Sequence, residues 1–342
     1  MIYQGPIFIE LRTKLLNFYP QKVWSSWKSS MTCSDWLNRG AYNIVSIKNN
    51  ELIIHSDNND FASMWLTEVE NLMNHCYEHI KELYINNREN VDHCDAWQVV
   101  TLYYYGYFAV QAFLRLIGHP IVFLSKDQVK PLSTIFGTTK KMNAGNYEIL
   151  KNKNISATES EYIFKKLNQQ NHDAVWKSFF TKITSLLKTV NNIPNEEILF
   201  FKSLTSNVLK PVYNMLAWPP RLRTMVNYRP GFAYRTIQKD NIAKSNKLIL
   251  DWEEITESKI QTLLDQAIGS CAHTSFSKIN NHTNLLSCLS HSIFILVRSL
   301  YKELRSRRSI DKRWETGRLQ FCNSFCSIKT GQFQFLSNVK IR

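Results

Sequence analysis

Apolar residues recur at steps of three and four along most of the chain. Leu66, Val69, Leu72, Met73, Cys76, Ile80 and Leu83 form one such stripe, which predicts a long amphipathic helix from about residue 60 to 85. In the next stretch Trp97, Leu102, Tyr105, Phe108, Ala109, Ala112, Phe113 and Leu116 spread apolar bulk around most of a helix, as in the middle of a bundle. Asp95 can cap its start, and Gly118-His119-Pro120 ends it, because glycine suits a helix terminus and proline disfavours helical geometry in the residue before it. The same step resumes at Val175, Phe179, Ile183, Leu186, Leu187 and Val190, and again over 196–209 after Pro194. No proline follows Pro230, and helices are expected over roughly 252–268, 285–304 and 312–321. The one β-like pattern is Ile44, Val45, Ile47, Leu52, Ile53 and Ile54, a small hairpin around 48–51. Residues 137–160, rich in Lys, Asn, Thr and Gly, read as an exposed loop or insertion.

These elements predict a mainly α fold: a helical bundle with a small irregular or β element at the N-terminal side and additional C-terminal helices. At 342 residues the chain exceeds the size at which one core usually stops growing. Three parts are expected: 1–58, a helical core over 59–240 with the insertion near 137–160, and a basic helical region over 241–342. The longest uncharged stretch, 96–114, contains Gln98, Thr101, Gln111 and four tyrosines and is closed by Arg115, which suits a buried helix better than a membrane span. Seven cysteines form an odd set with no compact framework, and residues 1–14 carry no apolar run behind a basic start. Reduced thiols and a cytoplasmic location are the expectation.

Charge changes the picture more than composition does. The formal net charge is +14, and +9 of it lies in two short tracts. One, 211–235, holds Arg221, Arg223, Arg229 and Arg235 and no acid; the other, 298–318, holds Arg298, Lys302, Arg305, Arg307, Arg308, Lys312, Arg313 and Arg318 against three acids. Excess charge this local points to a polyanion, nucleic acid first. On a helix Arg298, Lys302 and Arg305 share a face that can follow a phosphate backbone, and Tyr301 and Trp314 interleave with them as stacking groups. A solvated basic helix is the alternative reading of that tract.

Three stretches, in order, resemble HEPN domains. Tyr103-Tyr104-Tyr105-Gly106 through Gly118 is similar to that family's aromatic, small-residue helix, and Lys126-Asp127 through Phe136-Gly137 resembles the element that follows it. Arg221-Leu222-Arg223-Thr224-Met225-Val226-Asn227-Tyr228 is similar to its arginine-bearing helix. The three together span residues 103–228, about a third of the chain. The resemblance implies a bundle of four or five helices, frequent dimerisation, toxin–antitoxin or antiviral defence systems as context and, in active members, metal-independent RNA cleavage by an Arg with a His four to six residues on. The matching position offers Arg223 with Asn227 and Tyr228 as the catalytic candidates. Asn cannot titrate, and an unperturbed Tyr near pKa ~10 is a poor base at neutral pH, so phosphate binding survives where cleavage is in doubt. Arg88 and His93 have the literal spacing but precede the aromatic helix.

Other constellations carry less. His75 and His79 share a helix face near His93 and Cys94, and Cys271, His273, His282, Cys288, His291, Cys322 and Cys326 follow later, yet none has the spacing of a compact zinc site, so no metal and no cofactor are expected. Gly-x4-Gly-Lys-Ser/Thr, Gly-x-Gly-x-x-Gly and Gly-x-Ser-x-Gly are absent, which argues against nucleotide-driven motors, dinucleotide enzymes and serine hydrolases. The acids Asp251, Glu253, Glu254 and Glu257 suit the positive end of a helix. The expectation is a nucleic-acid-binding protein, RNA before DNA, with a homodimer or another protein as partner. The alternatives are a non-catalytic assembly subunit whose basic patches dock an acidic protein and an endoribonuclease.

Overall fold

The computed structural model describes residues 5–23, 32–48, 50–88, 95–135, 142–190, 197–199, 201–202, 218–228 and 279–310. Its helices are α1 (Pro6–Phe18), α2 (Cys33–Arg39), α3 (Asn58–Arg88), α4 (Asp95–Leu116), α5 (Lys126–Ile135), α6 (Asn171–Thr189), α7 (Trp218–Tyr228) and α8 (Ile279–Arg307). Its strands are β1 (Lys22–Val23), β2 (Asn43–Lys48), β3 (Glu51–Asp57), β4 (Ile121–Leu124), β5 (Gly145–Asn154), β6 (Glu159–Leu167) and β7 (Ser309–Ile310). The helices expected at 252–268 and 312–321 lie outside the described residues.

The expectation of a mainly α bundle with a small N-terminal β element is corrected by a five-stranded antiparallel sheet in the order β2-β3-β6-β5-β4, which makes the fold mixed α/β. The hairpin read at 43–55 forms as β2 and β3, turning at Asn50 with φ 63°. The segment read as a loop over 137–160 instead supplies β5 and the start of β6. Alternation is the physical reason: Tyr147 and Ile149 on β5, and Tyr162 and Phe164 on β6, are buried at every second position. Phe164 stands opposite both Ile149 and Leu52 in register, so one apolar row crosses three strands. The sheet therefore joins residues on both sides of position 58.

Sheet and helices share one core. The Tyr162 ring stacks on Phe61 of α3 at 3.7 Å and its hydroxyl donates to Asn58 Oδ1 at 3.0 Å; Phe61 in turn meets Trp36, Trp65 and Phe18. α4 is the central helix. α3 runs antiparallel to it, with Glu68 bound to Arg115 at 2.7 Å and His79 stacked on Tyr104 a few turns away. α8 runs antiparallel to α3, since Tyr301 donates to Glu70 at 2.8 Å while Phe294 packs on Tyr77. A two-residue parallel pairing of β1 with β7 ties the chain after α1 to the chain after α8.

The helix ends follow local chemistry. α4 stops at Gly118, φ 78°, whose N–H donates to Arg115 O while that of His119 reaches Leu114 O, the paired closure that only a left-handed residue permits at low cost. α1 begins with Pro6 behind Gly5, which has no capping side chain; the Glu197 carboxylate accepts the Ile7 and Phe8 N–H groups at 2.9 and 3.1 Å instead. No helix among the described residues is long and apolar enough to cross a membrane. Cys33, Cys76 and Cys288 are buried free thiols.

Candidate nucleic-acid interface

The 3.6-residue repeat of α4 places Trp97, Tyr104 and Phe108 on one face, and these three are more exposed than the buried Tyr103, Tyr105 and Tyr107 beside them. α7 lies against that face. Pro219 and Pro220 occupy its first turn, where a missing N–H costs nothing, and Trp218, Leu222, Met225 and Val226 are buried beneath it. The register of those anchors leaves Arg223, Asn227 and Tyr228 on the outer side. Tyr228 is 68% exposed and Trp97 63%.

Arg223 is the centre of the arrangement. Its Nη2 donates to Tyr104 Oη at 2.9 Å, and its guanidinium carbon lies 5.6 Å from the Tyr104 ring and 5.8 Å from the Tyr228 ring. Its Nε is buried without a hydrogen-bond partner among the described residues. His172, at the start of α6, bonds Tyr103 Oη through Nδ1 at 2.7 Å and stacks near Tyr107 at 4.4 Å. Burial, and then the Arg223 charge, hold its pKa down at about 4. On the other flank His75 and His79 of α3 stack on Phe108 at 4.9 and 5.5 Å. Burial and then the neighbouring His75 lower the pKa of His79. These two histidines are thus ring partners of an aromatic, and His75 also faces Glu78 at 3.3 Å.

Among the residues read from the sequence, the structure brings Arg223 and Tyr228 together and leaves Asn227 exposed beside them. Arg221 is half-buried two residues from Arg223, on a different side of α7. Arg229, Arg235, Lys312, Arg313 and Arg318 lie outside the described residues, as do His93, Cys271, His273, Cys322 and Cys326. The C-terminal end of the α8 tract does not share this surface, whereas Arg298 lies close enough to Tyr105 of α4 for its charge to act on that hydroxyl. Arg308 donates to Leu16 O, Tyr19 O and Gln21 Oε1 at 2.9, 3.0 and 3.2 Å, closing the C-terminal end of α1. Arg307 is paired with Glu303, which also faces Arg12 at 3.6 Å. Arg298 and Arg305 are half-buried, and Lys302 is exposed with no ion-pair partner among the described residues. Because Tyr19 Oη donates to Arg115 O, this basic end lies by the end of α4, about 16 Å along the helix axis from Tyr104.

Tyr104 and His172 were not singled out by the sequence. Tyr104 sits in an aromatic run that reads as core, and only its four-residue spacing to Phe108 hints at an outward pair. His172 has no local signal, since its partner Tyr103 is 69 positions away. No protein-family model, curated protein or solved structure matches this chain.

Proposed function

We propose that this protein binds single-stranded nucleic acid, RNA in preference to DNA, on the aromatic and arginine surface of α4 and α7. The observation that carries the reading is Arg223 beside the Tyr104 and Tyr228 rings, its Nη2 donating to Tyr104 and its Nη1 without a partner among the described residues. A guanidinium so held leaves Nη1 to donate to a phosphate, while the exposed Tyr228 and Trp97 offer faces on which unpaired bases stack. The net charge of +14 favours a polyanion. Preference for RNA rests on the HEPN resemblance of the two stretches that supply Tyr104 and Arg223. Fluorescence anisotropy with a labelled single-stranded RNA and its duplex tests it. Single strand is expected to bind more tightly than duplex. Tyr228→Ala removes one stacking face, worth about 1–3 kcal/mol, so a loss of at least about fivefold is expected. Equal affinity for both forms, or an unchanged Kd in the variant, would reject the surface.

A second reading, RNA cleavage, rests on His172. Its Nδ1 is taken by Tyr103, its Nε2 has no protein partner among the described residues, and its low pKa keeps the ring neutral at pH 7. Beside Arg223 on a phosphate, a neutral imidazole whose Nδ1–H donates to Tyr103 can take the 2′-hydroxyl proton on Nε2 as that oxygen attacks phosphorus and the P–O5′ bond breaks; the imidazolium or a water then gives a proton to the leaving oxygen, leaving a cyclic phosphate and a free 5′-hydroxyl. Incubation with labelled RNA, with His172→Ala as control, decides it; identical product from both proteins ends this reading.

A further inference from the structure

A cleft of about 380 Å³ opens where the C-terminal half of α1, the end of α4 and the outer half of β5 meet. Three local features make it. β4 pairs with β5 only from Gly145 to Glu148, so past the Ile149 N–H bond to Pro120 O the strand has an open edge. A bulge between Lys151 and Lys153 bends that free half. Gly118 lines the floor, where a Cβ would stand 2.8–3.2 Å from Phe18 atoms, so bare backbone is what lets α1 and α4 approach. A second hollow shares Lys14, Ile117 and His119 and continues over α6 toward Lys182 and Thr189.

The walls of the cleft are cationic and carry no acid; Glu148 and Glu161 nearby are engaged, while Glu10, one turn before Lys14, borders the second hollow without an ion-pair partner among the described residues. Glu148 faces Lys182 at 3.1 Å and His119 at 3.3 Å; Glu161 faces His55 at 3.2 Å and Lys153 at 3.7 Å. Lys14 and Lys151 have no ion-pair partner among the described residues. Lysines on a strand edge often serve only to block edge-to-edge pairing, and the exposed Lys153 suits that role. Lys151 does not. It is half-buried, in register with the buried Tyr162, and burial lowers its pKa. A cation drawn from water with no counter-charge is unfavourable, and an anion in the cleft offsets that cost.

We infer that this cleft is a phosphate site, taking a phosphate-bearing ligand between Lys14 and Lys151. Its size suits a ligand up to about a nucleotide, given that small-molecule sites start near 300 Å³. It is independent of the proposed aromatic surface: Ile117 lies roughly 20 Å along α4 from Tyr104. A free polyphosphate and a nucleic-acid backbone offer the same chemistry, and two arms separate them.

In the first arm the full-length protein is titrated calorimetrically with inorganic tripolyphosphate at low ionic strength. One saturable site is expected, with affinity at least tenfold weaker in Lys14→Gln/Lys151→Gln. Lys48→Gln/Lys165→Gln, with the same change in net charge, should stay within twofold of the native protein, and Tyr228→Ala should bind tripolyphosphate normally. Lys14→Gln alone, at an exposed position, should weaken binding without touching the fold. Absence of a saturable site, or equal losses in the two double variants, overturns the proposal. In the second arm, a lower salt slope for RNA in Lys14→Gln/Lys151→Gln identifies strand phosphates as the source, and an unchanged slope identifies a free phosphate compound.

Discussion

Arg115 ties α4 to α3, and its partner Glu68 extends the link to the start of α2. Its Nε donates to Glu68 at 2.7 Å, its Nη1 donates to Gln111 at 3.0 Å, and its guanidinium lies 5.6 Å from the Trp65 ring; Glu68 also accepts the Cys33 N–H at 2.7 Å. Removing one partner of such a pair strands the other charge, so Arg115→Met should lower the unfolding free energy by about 3–5 kcal/mol in urea denaturation. A loss below about 1 kcal/mol would show the pair to be idle. His291 sets a pH dependence. It is buried against Tyr105, its Nδ1 3.0 Å from the Tyr105 hydroxyl, and burial holds its pKa down at about 4. In the unfolded chain it titrates near pKa ~6.5, so between about pH 6.5 and 4 the unfolded state takes up a proton that the folded state refuses. The stability it contributes is therefore complete above that window and is lost as pH falls through it. His172 acts in the same direction, less strongly because it is more exposed. His291→Gln should flatten the acid limb of the stability curve by on the order of 2–3 kcal/mol. Superimposable curves would contradict the assignment.

At the scale of elements, the contact between α4 and α8 turns on Gly106. A Cβ there would collide with Ser290 Oγ, stand 3.1 Å from Ser290 Cβ and lie 3.5 Å from the Trp176 ring. Gly106→Ala should cost about 1–3 kcal/mol through overpacking, and Ser290→Ala in the same chain should restore most of it, measured by chemical denaturation. Equal stability of the single and double variants would refute the close crossing. Helices were legible wherever a stripe and its punctuation agreed, as in Leu66–Leu83 of α3 or the Gly118-His119-Pro120 stop of α4. The sheet was less so. β5 has only Tyr147 and Ile149 pointing inward before a polar Lys151–Asn154 half, and the four apolar residues of β4 suit a strand or a buried helix turn equally. The pairing of Ile54 with Tyr162 joins residues more than a hundred positions apart, which no local pattern encodes. The interface divides in the same way. Arg223 and Tyr228 stand out by charge and by resemblance, whereas Tyr104 meets Arg223 across 119 positions. Arg308 reads as a surface cation, yet its donors are spent on the carbonyls of α1.

Across the whole molecule, α4 separates two cationic settings. Near its middle an arginine is framed by tyrosines, and at its C-terminal end lysines surround a cleft beside a strand edge. A strand of RNA engaged at the first should release few counterions and depend strongly on unpaired bases, because stacking rather than a long phosphate track supplies the contact. The most direct test is photo-crosslinking of the full-length protein to a 4-thiouridine-substituted single strand, with the modified peptides identified by mass spectrometry. The account predicts adducts on Tyr228, Tyr104 or Trp97 that disappear when unlabelled single strand competes and persist when duplex does. Adducts confined to α8 or to the cleft at the end of α4, with none on the α4–α7 aromatics, would contradict it.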